Sequence, residues 1–335
     1  MPVINPRALI LDRTEAISSY HLDAGLDRAQ LDVSGGIDSA VMLGLLCLAL
    51  GPDQVTAVTS SIHSSPTSRL RAKAVADRFG CRLVDINLTD IYDDLVGLMV
   101  SRLVAAGFDD SEVRARIADD PTVLGSIRST LRAPVGRGFN RLSGGGIRHG
   151  TGNECEDRFL RFFQKGGDGE VDTNPLAMLS KGEVYQLALA LEVPEEIISA
   201  IPTPDLWGSG DAHNDEDELL AWTGVPFSYS RVDVKTGLYH NVGTIERVSR
   251  FLDSCDDALF RVTESELDVV LAQALKCPAF AGLDDDMVLS FCRAARRIET
   301  ITRHKENPSA TPLGDRADLV VRGILSNDLP STPAG

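Results

Sequence analysis

Ser34-Gly35-Gly36-Ile37-Asp38-Ser39 combines hydroxyls, two adjacent glycines and a carboxylate in six residues, at the point where an apolar run ends and a helical run begins. Consecutive glycines allow positive φ and close backbone approach to a ligand, so successive N–H groups can form a nest for an anion. A helix starting directly behind them adds the positive end of its dipole. Ser34 and Ser39 supply donors, and Asp38 stands where a Mg²⁺ ion on a bound phosphate needs an oxygen ligand. The bland alternative is a Gly-Gly turn that binds nothing. The spacing excludes the G-x-x-x-x-G-K-[ST] phosphate loop.

A second constellation lies farther along. His149-Gly150-Thr151-Gly152-Asn153-Glu154-Cys155-Glu156 is another nucleotide-type turn with a carboxylate behind it. It is followed by Lys165-Gly166-Gly167-Asp168-Gly169-Glu170-Val171-Asp172-Thr173-Asn174-Pro175, then Lys181, then Pro202-Thr203-Pro204-Asp205-Leu206-Trp207, then Asp215-Glu216-Asp217-Glu218-Leu219. Two carboxylates on different loops can bracket a metal on a polyphosphate, and a lysine nearby can neutralise charge on a leaving group. Taken singly, Glu156 could be a helix-dipole acid, Asp168 and Asp172 turn residues, and Lys181 a surface lysine.

The elements that position these residues read as an α/β fold. Ala29, Leu31 and Val33 alternate as a strand, and Ala40 to Leu50 is apolar almost all round, as a helix inside a layered fold is. A strand over Gln54–Thr59, a helix carrying Leu70, Ala74, Val75 and Phe79, a strand over Cys81–Ile86 and a helix from about Tyr92 to Ala105 follow. Strands alternating with helices predict a doubly wound parallel sheet with helices on both faces. Ligands bind such sheets at the carboxyl ends of the strands, where the Ser34–Ser39 loop falls. From Phe108 to Arg128 the sequence predicts a surface helix and loop broken at Pro121. Pro134–His149, rich in Gly and Arg, reads as a poorly patterned, mobile approach to the second turn. The acid-rich stretch Asp211–Glu218 reads as a solvated loop, and the tail from Pro308 as a segment that wraps the surface or frays.

Composition bounds the rest. The chain has 335 residues, 43% of them hydrophobic, and a net charge of −16. That charge repels nucleic acid and favours a small-molecule substrate. No stretch approaches the ~20 apolar residues of a membrane span, and the N-terminus lacks a signal-peptide pattern, so the expectation is a cytoplasmic protein without membrane partners. The six cysteines include no C-x-x-C pair, which argues against a zinc site or a disulfide framework.

The first motif resembles the SGGxDS loop of the N-type ATP pyrophosphatases, which cleave ATP between the α and β phosphates and adenylate a substrate oxygen. The ordered set GTGNxxE, KxGDGxxDxxP, a following Lys, P-[ST]-x-x-L-W and D-E-x-E-L resembles the NAD synthetase family within them, as do Arg303-His304-Lys305 and Thr263-Glu264-Ser265-Glu266-Leu267-Asp268. The resemblance covers about residues 28 to 310. It implies the adenine nucleotide alpha hydrolase-like fold, with residues 1–310 as one domain, an insertion near 221–260 and a Pro-rich tail at 311–335. It also implies that Ser34, Gly35, Gly36, Ile37, Asp38, Ser39, Thr151, Lys181 and Thr203 hold ATP, that Asp38 and Glu156 bind Mg²⁺, and that Asp38, Lys181 and Thr203 serve catalysis. Arg132, Lys165, Asp172, His304 and Lys305 would contact the acid substrate, deamido-NAD. The chain would be a homodimer that takes its nitrogen from free ammonia or a separate partner, since 33 residues before Ser34 leave no room for a glutaminase domain.

Departures mark the acid side. Where the family carries N-x-x-[AS]-R-x-R, this chain has Ser126-Ile127-Arg128-Ser129-Thr130-Leu131-Arg132, so Ser126 and Thr130 replace an Asn and an Arg. The strand before GTGN is usually apolar, and Gly144-Gly145-Gly146-Ile147-Arg148-His149-Gly150 is not. These departures leave open an amide ligase for another carboxylic acid, and, from another class, a non-catalytic nucleotide-binding protein.

Overall fold

The computed structural model describes residues 5–119, 121–203, 214–255, 259–305 and 314–328. Helix α1 (Pro6–Ala24) opens with a proline in its first turn and an Asn5 cap whose side chain accepts from the Ala8 amide at 3.2 Å, and Gly25 ends it at φ 65°. The elements that follow are β1 (Ala29–Asp32), α2 (Ile37–Leu50), β2 (Val55–Ser61), α3 (Pro66–Phe79), β3 (Arg82–Asn87) and α4 (Thr89–Ala105). They match the alternation read from the sequence to within a few residues. Helix α5 (Asp110–Asp119), α6 (Pro121–Leu142) and β4 (Ile147–His149) complete the sheet.

All four strands are parallel, in the order β3-β2-β1-β4, with Leu31 opposite Ala57 on one side and His149 on the other. The chain therefore builds outward from β1 through β2 and β3, then returns to the other side of β1. The switch point lies between β1 and β4, and both nucleotide-type turns leave the carboxyl ends of those two strands. The main core packs Leu9 and Ile17 of α1, Leu31 of β1, and Ala40, Leu43 and Leu46 of α2. This explains why α2 is apolar on nearly every side.

Two expectations are corrected here. Residues 134–142 are not a mobile approach but the second half of α6, despite Pro134 within the helix. Low helix propensity hid it, and tertiary contacts supply what propensity lacks: the Ala133 carbonyl accepts from Arg148 Nη1 at 3.3 Å and the Gly136 carbonyl from Gln30 Nε2 at 2.8 Å. The tail does not fray over 314–328. Helix α13 (Arg316–Val321) follows the last described gap, and Leu319 and Leu325 join the main core.

Downstream of β4 come α7 (Lys181–Ala190), α8 (Glu195–Ile198), α9 (Asp215–Thr223), the antiparallel pair β5 (Arg231–Val232) and β6 (Tyr239–Asn241), α10 (Thr244–Asp253), α11 (Glu264–Ala274) and α12 (Asp285–Thr302). Helices α10 to α12 enclose a second core in which Phe227 lies against Phe159 and Phe291, with ring centroids 5.8 and 5.1 Å apart. The acid-rich stretch is a solvated loop only in expectation: from Asp215 onward it is α9, capped by Asn214, and Asp215 is buried. Residues 211–213 lie outside the described residues.

Candidate active site

The first turn is shaped by glycine. Gly35 has φ 84°, and a side chain there would also strike the Ser68 carbonyl of α3. Gly36 caps α2, its amide donating to Ser34 Oγ at 3.2 Å, and Ser39 Oγ donates back to the Gly36 carbonyl at 2.9 Å. Asp38 therefore sits in the first turn of α2 beside the loop.

The second turn is tied to the first through Asn153. Its Nδ2 donates to Asp38 Oδ1 at 3.0 Å while its Oδ1 accepts from the Glu156 amide at 3.2 Å. Gly152 leaves the space that the half-buried Asp157 carboxylate fills. Residues Cys155–Leu160 form a π-helical turn, which aims Glu156 back toward the sheet. Lys181 opens α7, whose start is fixed by a capping box between Ser180 and Glu183.

These three elements converge. Lys181 Nζ lies 2.6 Å from Asp38 Oδ2 and 2.7 Å from Glu156 Oε1, with its side chain only 4% exposed. Burial pushes the Glu156 carboxyl up, with Asp38 and Asp215 adding to the shift and Lys181 opposing it. Burial disfavours the Lys181 ammonium, but Asp38 and Glu156 outweigh that and hold its pKa well above the usual lysine value. Tyr229, from the segment 221–260, closes the group. Its hydroxyl is 3.3 Å from Glu156 Oε1 and 3.2 Å from Asp215 Oδ2, and its ring centroid is 5.4 Å from Lys181 Nζ. Burial raises Asp215 to about 6. The phenol is the donor here, with Glu156 Oε1 and Asp215 Oδ2 as the two acceptors within its reach.

A buried ionic frame holds α7 from behind. Glu183 accepts from Arg316 Nη1 and Nη2, both at 2.9 Å, and pairs with Arg250 at 3.3 Å, while Arg250 also reaches Glu154 at 3.0 Å. Burial alone would raise the Glu183 carboxyl, but Arg316 and Arg250 outweigh it and bring it down to about 2. The neighbours of Glu156 and Lys181 in sequence are thus locked to α10 and α13.

A cleft of about 510 Å³ opens over these groups. Ser34 to Ser39, Thr151, Glu156, Lys181, Thr203, Arg132 and Lys305 all line it. Arg132 leans on the end of β2, with Nε donating to the Ser60 carbonyl at 3.0 Å. Lys305 Nζ caps the carbonyls of Arg161 and Phe163 at 3.0 and 2.6 Å. Of the other residues expected at the acid side, Asp172 accepts from Arg137 Nη1 at 3.1 Å and the Arg148 amide at 2.7 Å, holding α6 to β4, and Lys165 and His304 are exposed. Arg128 stacks on Tyr92 at 5.6 Å, and the Thr130 hydroxyl bonds its own helix at the Ser126 carbonyl, 3.0 Å away. Residues Pro204–Trp207 and Pro308 lie outside the described residues.

Two buried pairs near the switch point were not anticipated. Arg148, 1% exposed, forms an ion pair with Asp32, joining the ends of β4 and β1 where the two turns begin. Gly136 of α6 leaves room for that guanidinium. His149 lies in the cleft wall with its Nε2 3.0 Å from Nε2 of His21. Their one signal in the sequence was the polar break before Gly150.

A doubly wound parallel sheet with an SGGxDS turn and a paired-carboxylate lysine centre at its switch point defines a nucleotide-dependent enzyme of the adenine nucleotide alpha hydrolase-like class. The chain belongs to the NAD synthase family, whose model matches residues 9–250. It is 31% identical over 220 residues to an NH3-dependent NAD+ synthetase of Methanococcoides burtonii, covering 65% of this chain and 75% of that one. It is 32% identical over 207 residues to one of Thermoplasma volcanium, covering 62% and 74%. Among solved structures, the NMN synthetase of Francisella tularensis matches with a TM-score of 0.64 at 20% identity over 92% of this chain and 98% of that one. The NH3-dependent NAD synthetase of Campylobacter jejuni matches at 0.56 and 16% over 90% and 97%. At those identities the structural matches speak for the fold.

Proposed function

We propose that the chain is an ammonia-using NAD synthetase in which the Asp38–Lys181–Glu156 group is the adenylation centre. ATP and Mg²⁺ are its co-substrate and metal, as in its family. The observation that carries the reading is the convergence of one lysine and two carboxylates, 2.6 and 2.7 Å apart, from three separate elements at the switch point. Two acidic oxygens beside an anion nest fit Mg²⁺, which is usually held by one or two carboxylates plus substrate phosphates. Asp38 and Glu156 would hold that ion, and it would supply charge neutralisation on the polyphosphate.

The carboxylate of deamido-NAD attacks the α-phosphorus, and the bond to the β-phosphate oxygen breaks. Ammonia then displaces AMP from the mixed anhydride, forming the amide. The nest and the α2 N-terminus, with Ser34 and Ser39, grip the departing pyrophosphate. Lys181 neutralises the charge that builds on it, and Thr151 and Thr203, which also line the cleft, hold the nucleotide. No protein nucleophile is needed, because the chemistry rests on positioning and charge. Arg132 and Lys305 face the acid substrate. The test is purified protein with deamido-NAD, ATP, Mg²⁺ and ammonium: NAD and AMP in equal amounts support the reading, and their absence removes it.

A ligase for another carboxylic acid is favoured by one observation. With Arg128 stacked on Tyr92 and Thr130 turned to its own helix, Arg132 is the one guanidinium that α6 brings to the described cleft wall. Product formation from a panel of carboxylates separates the two. Homodimer formation is supported by α4 and the turn after it, where Ile91, Leu98, Met99, Leu103, Val104 and Phe108 are exposed together. Among the described residues no helix is long and apolar enough to cross a membrane, which agrees with a cytoplasmic place.

A further inference from the structure

The basic side chains that line the cleft are not alike. Arg69 pairs with Asp85 at 2.6 Å, Lys181 with Asp38 and Glu156, and Lys305 with two backbone carbonyls. Arg132 donates to the Ser60 carbonyl. Arg71, also in the cleft wall, differs: its Nε is buried with no hydrogen-bond partner. Native proteins rarely leave a buried donor unmet, and a guanidinium seeks an acceptor of opposite charge. The chain is strongly acidic, at −16, so carboxylates are plentiful, yet no ion pair is recorded for this arginine among the described residues.

Its position says what the acceptor is. Arg71 lies on α3, in the turn that packs directly on the Ser34–Ser39 loop: a methyl placed on Gly35 would come within 3.1 Å of Arg71 Cβ. Gly35 thereby lets α3 approach, and the arginine side chain extends from that contact along the same cleft wall as Ser34, Gly36 and Ser39. An arginine stem is long enough to reach any anion seated on the loop. Its planar fork matches two phosphate oxygens at once.

We infer that Arg71 is a binding residue for the pyrophosphate portion of ATP, gripping from α3 the phosphates that the glycine loop holds from α2. The inference deepens the proposed function, since it rests on the loop's being a pyrophosphate site, but it does not depend on the acid substrate. During the reaction the same contact would stabilise the charge arriving on pyrophosphate as its bond to the α-phosphorus breaks.

The test is direct binding by calorimetry with Mg²⁺ present, using inorganic pyrophosphate and AMP as probes of the two halves of the nucleotide. Arg71→Gln should weaken pyrophosphate binding about ten- to a hundredfold, as expected for a lost charge-assisted pair, and leave AMP binding unchanged. Arg71→Lys, which keeps the charge and loses the fork, should fall between. Arg69→Gln, whose arginine is already paired, should match the wild type for both probes. Thermal melts of each variant check the fold, and Arg71→Lys serves if Arg71→Gln does not fold. Unchanged pyrophosphate affinity in Arg71→Gln, equal losses for pyrophosphate and AMP, or no pyrophosphate binding by the wild type would each overturn the inference. Arg71-dependent pyrophosphate binding in a protein that makes no NAD would instead retire the deamido-NAD reading and leave this one standing.

Discussion

His149 gives the most quantitative prediction, because it is buried in the wall of the site and its hydrogen bonds fix its charge. His21 Nδ1 faces the Leu26 carbonyl at 2.6 Å, which can only accept, so that nitrogen carries the proton and His21 Nε2 accepts. His149 Nε2 must then donate across the 3.0 Å contact, and its Nδ1 accepts from the Thr173 hydroxyl at 2.6 Å. Both rings are neutral in this chain of bonds. Burial, with His21 adding to it, lowers His149 from 6.5 to about 3. A histidine depressed in the folded state contributes its stabilisation above its unfolded pKa and loses it as pH falls toward the folded value. Between neutral pH and about pH 5 the unfolded chain binds this proton and the native one does not, so His149 alone withdraws about 2 kcal/mol of stability. Urea unfolding at about pH 7.5 and pH 5, for the wild type and His149→Gln, isolates the term. The variant should be less stable at the higher pH yet lose about 2 kcal/mol less on acidification. Equal acid losses in the two proteins would refute the reasoning.

Three further outcomes concern the centre itself. Asp38→Asn and Glu156→Gln should abolish AMP formation without unfolding the protein, and wild-type activity at saturating Mg²⁺ would remove them from the metal site. Lys181→Ala should cost about 2–4 kcal/mol in the transition state, read as kcat/KM for ATP, and an unchanged value would contradict its role. Tyr229→Phe keeps the ring beside Lys181 but strips the hydroxyl from Glu156 and Asp215, so kcat should fall about tenfold, the cost of a hydrogen bond to charged groups. A kcat equal to the wild type's would make that hydroxyl a bystander.

The parts of this fold that follow local rules were readable in the sequence. The β1-turn-α2 unit declares itself through alternation, paired glycines and an apolar helix, and the regular strand-helix succession up to α4 follows from periodicity alone. The parts missed are those set by distant partners. Helix α6 contains Pro134 and Gly136 and looks like a loop until Arg148 and Gln30 are seen to take its carbonyls. Tyr229 sits in a segment that reads as extra, and nothing around it in sequence shows that its hydroxyl reaches Glu156. Arg316, in a stretch that reads as tail, is buried on Glu183. Asp172, whose motif reads as a ligand contact, also joins α6 to β4 through its carboxylate, a tie that no local pattern announces. Charged residues buried in pairs leave no periodic trace, and this protein places several of them around its site.

The central claim is that the cleft adenylates a carboxylate before ammonia arrives. Exchange of labelled pyrophosphate into ATP, measured with Mg²⁺ and deamido-NAD but without ammonia, tests it directly. The account predicts exchange that requires the acid and disappears in Lys181→Ala. Exchange that proceeds equally without the acid, or ADP and phosphate as the products once ammonia is added, would contradict it.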